Sequence, residues 1–406
     1  MKFKIFFLYF FLIIYSVEIL LNVFINEKEI SQLDVKNERI KIAQKKNLEI
    51  DIRNKKDVFL ELLDTNKELS TGFNFAPTFR FSNVFQTALT GNELIPFRGP
   101  INKDTLLCAE DLNYRIAKND KYGFKNYNSV YKKKINTIIL GDSFAEGKCL
   151  DNENDTSAFL IKKGYNTVNL GVSGSSTLLS LGILREFGNY FKPKNVIYFY
   201  YEGNDLEGLS WEKQIPILKK YYDNENFNND YLLRYKEVKK FLDLVNEETL
   251  KSLKETETKS QNKKSVEKVI EKLQDILELK ISKKIIRENI LKKEKKIILD
   301  ENILINAVEK MYTESQKIKS NFIFVYIPDK YTFFDNEKSF ILKQSIKKKE
   351  KIIYEIENLG VKVIDLKNIL KKHPNPKSLY PLEYPGHFNS DGYEEIAKNI
   401  YKHLNK

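Results

Sequence analysis

This 406-residue chain predicts an α/β fold, a parallel sheet covered by helices on both faces, and two observations carry that expectation. From Ile135 onward, short apolar runs of strand length alternate with stretches of helical character. The first three of those strands each end in a Gly-containing polar turn, as in sheets whose ligands gather beyond the carboxyl ends of the strands.

The elements follow in order. After Met1-Lys2-Phe3-Lys4, residues 5–24 are apolar except for Ser16, Glu18 and Asn22, a run long enough to cross a bilayer core. No small-x-small cleavage site follows, so the expectation is an uncleaved membrane anchor. Lysines flank both ends, and the signal-like start is what favours a single pass with the bulk of the chain outside the cytoplasm. Residues 26–66 are polar and helix-prone and read as a stalk. Residues 72–130 carry Pro77, Pro96 and Pro100 and alternating segments such as Phe79-Arg80-Phe81, which predict a small strand-and-turn region packed on the core.

Residues 135–140, 167–170, 195–201, 321–327 and 361–366 then read as five buried strands, with a terminal helix from Asp391 to Leu404. The aromatic run Tyr198-Phe199-Tyr200-Tyr201 is core by the same reading. Between the third and fourth strands, no glycine occurs from Leu209 to Leu359 and no proline from Ile217 to Ile327. A Lys/Glu-rich helical insertion over 212–320 follows, read either as a lobe or hairpin packed on the sheet edge or as a lid or partner-binding arm over the ligand crevice.

Composition narrows the function classes. Hydrophobic residues at 42% and aromatics at 13% exclude wholesale disorder. The net charge of +12 is spread through Lys-rich stretches without interleaved aromatics, so no nucleic-acid partner is implied. With two cysteines, three histidines and no CxxC or HxxxH pair, neither a metal nor a cofactor is implied. Cys108 and Cys149 are compatible with a disulfide in an oxidising compartment, or with two buried thiols.

Four features carry the chemistry. Gly141-Asp142-Ser143 sets a hydroxyl at the end of the first strand, where it faces the ligand crevice. Gly174, in Val172-Ser173-Gly174-Ser175, offers a backbone N–H that a substrate can approach closely. Asn204, in Gly203-Asn204-Asp205, offers a side-chain amide, and His387 precedes the terminal helix, which Asn389 or Ser390 would cap. Asp142 and Asp205 read as turn-fixing acids; Glu202 either enters the crevice or terminates its strand. His373 and His403 read as surface residues.

Taken together, these residues resemble the SGNH hydrolases, the GDSL esterase and lipase family, with Ser143, Gly174, Asn204 and His387 matching its four name-giving positions over about residues 133–208 and 320–404. The resemblance implies a three-layer, five-stranded parallel sheet of flavodoxin-like order within a 133–404 domain, and cleavage of an acyl ester through a Ser143–His387 acyl-enzyme. It further implies an oxyanion hole formed by the Ser143 and Gly174 backbone N–H groups and the Asn204 amide. The family places Asp three residues before its histidine; Tyr384 stands there instead, and either Glu383 is the third member or a backbone carbonyl orients the ring and the site runs as a Ser143–His387 dyad. An acylated envelope carbohydrate or lipid is the expected substrate. The alternatives are an O-acyltransferase of surface glycan using the same site, and an inactive scaffold with a partner-binding arm.

Overall fold

The computed structural model of the chain describes residues 15–16, 27–72, 94–262, 299–334 and 340–405, which fall into two units. The smaller comprises Met1–Leu48 and Lys251–Ile298, described at helix α1 (Glu27–Lys45) and the last turns of a long helix named below. The expected membrane segment, residues 5–24, lies outside the described residues apart from Tyr15 and Ser16; no described helix is long and apolar enough to cross a membrane.

The larger unit comprises Glu49–Leu250 and Leu299–Lys406. It opens with α2 (Lys55–Thr65), capped by Asn54, whose side chain accepts the Asp57 N–H. Val58 and Phe59 are buried, so 26–66 is not one stalk: residues 46–54 break it, and the apolar face of α2 belongs to the larger unit. Leu69–Ser70 (β1), Asp104–Leu106 (β2) and Ile116–Lys118 (β3) form a small sheet, β1 parallel to β2 and β2 antiparallel to β3. Strands β2 and β3 fall within residues 72–130, whereas β1 precedes that range, and 73–93 lie outside the described residues.

The main sheet is built from β4 (Thr137–Leu140), β5 (Thr167–Asn169), β6 (Asn195–Tyr201), β7 (Asn321–Ile327) and β8 (Lys362–Asp365), in the order β5-β4-β6-β7-β8 with every pair parallel. Numbered from its own first strand this is 2-1-3-4-5, the flavodoxin-like order. The chain leaves β4 toward β5 and returns across it to β6, so the crevice of the switch point opens beyond the ends of β4 and β6.

Side chains alternate between two cores, as strand pleating requires. On one face Ile138, Val196, Tyr198, Tyr200, Phe324 and Tyr326 pack against α5 (Thr177–Ile183), α6 (Asp205–Glu212), α7 (Pro216–Asp223), α8 (Tyr235–Asn262), α9 (Glu301–Lys317) and α10 (Phe340–Asn358). On the other, Ile139, Ile197, Phe199, Val325 and Ile364 meet α3 (Ser143–Glu146), α4 (Thr156–Lys162), α11 (Leu366–Leu370) and α12 (Ser390–Leu404). Each fully buried large side chain contributes roughly 1.5–3 kcal/mol, and the aromatic run of β6 is core as expected.

The insertion is shorter than 212–320. Helix α9 is the layer helix that leads into β7, its Leu304, Ala307, Val308 and Met311 buried in the first core. The start of the insertion also packs there through Leu218, Tyr221, Val238 and Leu242. Residues 263–298 lie outside the described residues.

Candidate active site

Strand β4 ends at Leu140, and the chain turns through Gly141 at φ 137°, a conformation other residues rarely adopt; a Cβ there would run into the Phe199 carbonyl on β6. Asp142 caps α3, its Oδ1 accepting the Phe144 N–H at 2.8 Å. This sharp strand–turn–helix places Ser143 at the first position of α3, 8% exposed at the switch point. Burial pushes the Asp142 carboxyl up, and the Phe144 N–H and nearby His387 draw it back.

His387 arrives from the opposite end of the sequence. The segment after α11 closes on itself where Asn389 N–H donates to the Leu379 carbonyl at 3.0 Å. Asn389 then caps α12 by accepting the Gly392 N–H at 3.0 Å. Phe388, buried against Phe144 and Tyr380, holds the segment down on the nucleophile helix. The imidazole lies 4.7 Å from the Phe144 ring, and its Nε2 is 2.9 Å from Ser143 Oγ.

The carboxylate at the other ring nitrogen is a correction to the sequence reading. It belongs to Glu110, not Glu383: Glu110 Oε1 lies 3.0 Å from His387 Nδ1, and Oε2 accepts the His387 backbone N–H at 2.7 Å. Glu383 sits in a 3-10 turn that passes through two left-handed residues, Leu382 (φ 58°) and Glu383 (φ 55°), and leaves it solvent-exposed. A carboxylate at Nδ1 keeps the proton on that nitrogen and leaves the Nε2 lone pair for the serine hydroxyl.

Glu110 lies in the loop joining β2 to β3. Cys108 in the same loop forms a disulfide with Cys149, just past α3, over a Cα separation of 4.7 Å. One ligand-type atom each of Glu110, Cys149 and His387 lie within 4.8 Å of one another, so the bridge packs directly beside the carboxylate–imidazole pair. With its sulfur committed to the disulfide, Cys149 does not make this trio a metal centre. Glu110 carries no motif and was missed; the one sequence signal was the cysteine two positions before it.

The other two predicted residues stand at the same rim. Gly174 is exposed with φ 80° in the turn after β5, and Asn204 is exposed after β6. Asn204 occupies the cap position of α6 without using its side chain as a cap, which leaves the amide for a ligand. The turns are tied together: Val172 N–H donates to the Gly141 carbonyl at 2.9 Å, and Ser176 Oγ donates to the Asp205 carbonyl at 2.6 Å.

The remaining polar residues are structural. Asp205 fixes its turn by accepting the Tyr201 N–H at 2.8 Å. Glu202 is buried and accepts from Tyr326 Oη at 2.8 Å and from the Asp329 N–H at 3.0 Å, so it terminates its strand and stays out of the crevice. His373 Nδ1 accepts the Asn375 N–H, and His403 Nδ1 meets the Asn399 carbonyl within α12; neither is near the serine in these contacts.

Fold and site together define a three-layer α/β protein with a serine–histidine–glutamate array at the switch point of its parallel sheet. Solved structures similar to the chain include a lipase/acylhydrolase from Enterococcus faecalis, at 13% identity over 66% of this chain and 95% of that one, TM-score 0.34. A GDSL-like lipase from Bacteroides thetaiotaomicron VPI-5482 is 11% identical over 68% and 89%, TM-score 0.35. An acetylxylan esterase from Geobacillus stearothermophilus is 12% identical over 66% and 95%, TM-score 0.34. No family model matches the chain, and no curated protein matches it in sequence. Similarity of this depth carries no argument about chemistry or substrate, which rest on the residues above.

Proposed function

We propose that the protein is a serine ester hydrolase of the SGNH type, acting through an acyl-enzyme on Ser143. The observation that carries this is the continuous array Ser143 Oγ–His387 Nε2 at 2.9 Å and His387 Nδ1–Glu110 Oε1 at 3.0 Å. A serine hydroxyl is a weak nucleophile at neutral pH, so His387 takes its proton as Oγ attacks the ester carbonyl. Glu110 holds the ring in the tautomer that leaves Nε2 free and stabilises the imidazolium that forms. The Ser143 and Gly174 backbone N–H groups and the Asn204 amide are assigned to the oxyanion. His387 returns the proton to the leaving alcohol, and a water activated by the same nitrogen releases the acid.

The substrate we assign is an acylated envelope carbohydrate or lipid, met outside the cytoplasm by a catalytic body tethered through residues 5–24. The Cys108–Cys149 disulfide supports that location, since such bonds persist in oxidising compartments. The test is hydrolysis of p-nitrophenyl acetate by the full-length protein. Ser143→Ala and His387→Ala should each lower kcat by at least about 1000-fold, and a folded wild-type protein with no turnover of short acyl esters would sink the reading.

A further inference from the structure

The turn between β5 and α5, which carries the exposed Gly174, is gripped from both neighbouring turns by buried glutamates that the mechanism does not use. On the nucleophile side, Glu146 ends α3 and accepts the Ser173 N–H through Oε2 at 2.7 Å. Its Oε1 accepts from the Arg98 guanidinium at 2.7 Å, with both side chains almost wholly out of solvent. Gly171 lies so close beneath that a Cβ would collide with the Glu146 backbone nitrogen. On the other side, Glu212 ends the helix that begins after Asn204. It accepts the N–H groups of Ser176 at 2.6 Å, Leu178 at 2.8 Å and Leu179 at 3.2 Å.

A buried carboxylate is costly unless its oxygens are partnered, and here the partners are Arg98 and the buried Ser173 N–H beside Gly174 for Glu146, and the N–H groups at the start of α5 for Glu212. Oxyanion donors act by preorganisation, so small displacements of the Gly174 N–H cost rate without costing substrate binding. We propose that Glu146 and Glu212 are positioning residues that lock the Gly174 turn and the start of α5 to the nucleophile helix and to the far end of the helix that follows Asn204, with Arg98 as the counter-charge that keeps Glu146 in place. The link to catalysis rests on the acyl-enzyme reading of Ser143; the mechanical clamp does not.

The test uses the full-length protein with Glu146→Met, which removes the acceptor, and with Arg98→Met/Glu146→Met as a second variant that leaves no guanidinium stranded should the single one fail to fold. Amide hydrogen exchange at Ser173 reads the clamp, and is expected to accelerate at least about tenfold. Hydrolysis of p-nitrophenyl acetate reads the chemistry: kcat should fall about 30-fold with KM within about twofold. Affinity for a phenylboronic acid, whose tetrahedral adduct places an oxygen where the oxyanion forms, should fall in step with kcat. The pH profile of kcat/KM should keep its shape. A folded variant with wild-type kcat and boronate affinity, or with its loss confined to KM, overturns the positioning role. Unchanged exchange at Ser173 overturns the clamp even if the wild type proves to have no esterase activity, a result that would by itself sink only the function reading.

Discussion

Glu110 holds His387 at two points at once, accepting the backbone N–H with one carboxylate oxygen at 2.7 Å and facing Nδ1 with the other at 3.0 Å. A bidentate grip of this kind fixes both the ring's orientation and the path of the chain that carries it. Glu110→Gln presents an amide to Nδ1 and favours the wrong tautomer, so kcat should fall by roughly 1000- to 10,000-fold. Glu383→Gln should stay within about twofold of wild type. Steady-state kinetics on the two variants side by side separates the two carboxylates.

The disulfide anchors the Glu110 loop to the end of α3 across a sequence separation of 41 residues. Closing a loop of that length stabilises the fold by about 4 kcal/mol in the chain-entropy account. The Cys108→Ser/Cys149→Ser protein should therefore lose stability of that order in denaturant titrations. Its kcat should also fall in the direction of Glu110→Gln, because the carboxylate loses its tether; full activity would show that β2 and β3 hold Glu110 unaided.

Asn204 leaves its side-chain amide unused at the cap of α6. Removing a single oxyanion donor typically costs about 3–4 kcal/mol. Asn204→Ala should lower kcat roughly 100- to 1000-fold with KM little changed, and unfolding midpoints should stay near wild type, which distinguishes loss of the donor from loss of the cap.

Glu212 supplies a pH prediction. Burial pushes its carboxyl up to about 7 against three N–H donors that draw it back. Its folded pKa exceeds the unfolded one, so between about pH 4.5 and 7 the native state holds the extra proton and stability falls as pH rises through that window, by on the order of 3 kcal/mol at most. Asp120, buried and raised to about 6, acts in the same direction. Unfolding free energies measured across this range should decline less steeply for Glu212→Gln than for wild type; parallel curves would show that Glu212 keeps its ordinary pKa.

The strands and the Ser143, Gly174, Asn204 and His387 turns were legible because each rests on local pattern: a buried run of β-branched or aromatic residues, then a polar turn that the switch point brings to one rim. Glu110 was not, because only tertiary structure brings the β2–β3 loop to His387. Taking the Cys108–Cys149 pairing as formed would have brought Glu110 and Asp111 forward as candidates. Arg98 and Glu146 were silent for the same reason, since a buried ion pair has no spacing rule. The boundary of α9 was hidden in a long run without glycine or proline. Its one local mark is Asp300, which caps the helix by accepting the Asn302 N–H at 3.1 Å. The break at 46–54 was hidden likewise, with Asn54 as the cap that marks where α2 resumes.

The most direct test of the central claim is labelling of the folded, full-length protein with a fluorophosphonate, followed by peptide mapping. The serine–histidine–glutamate account predicts a single adduct on Ser143, absent in Ser143→Ala and formed far more slowly in His387→Ala and Glu110→Gln. No adduct on folded wild-type protein, or an adduct on another residue that persists in Ser143→Ala, would contradict it.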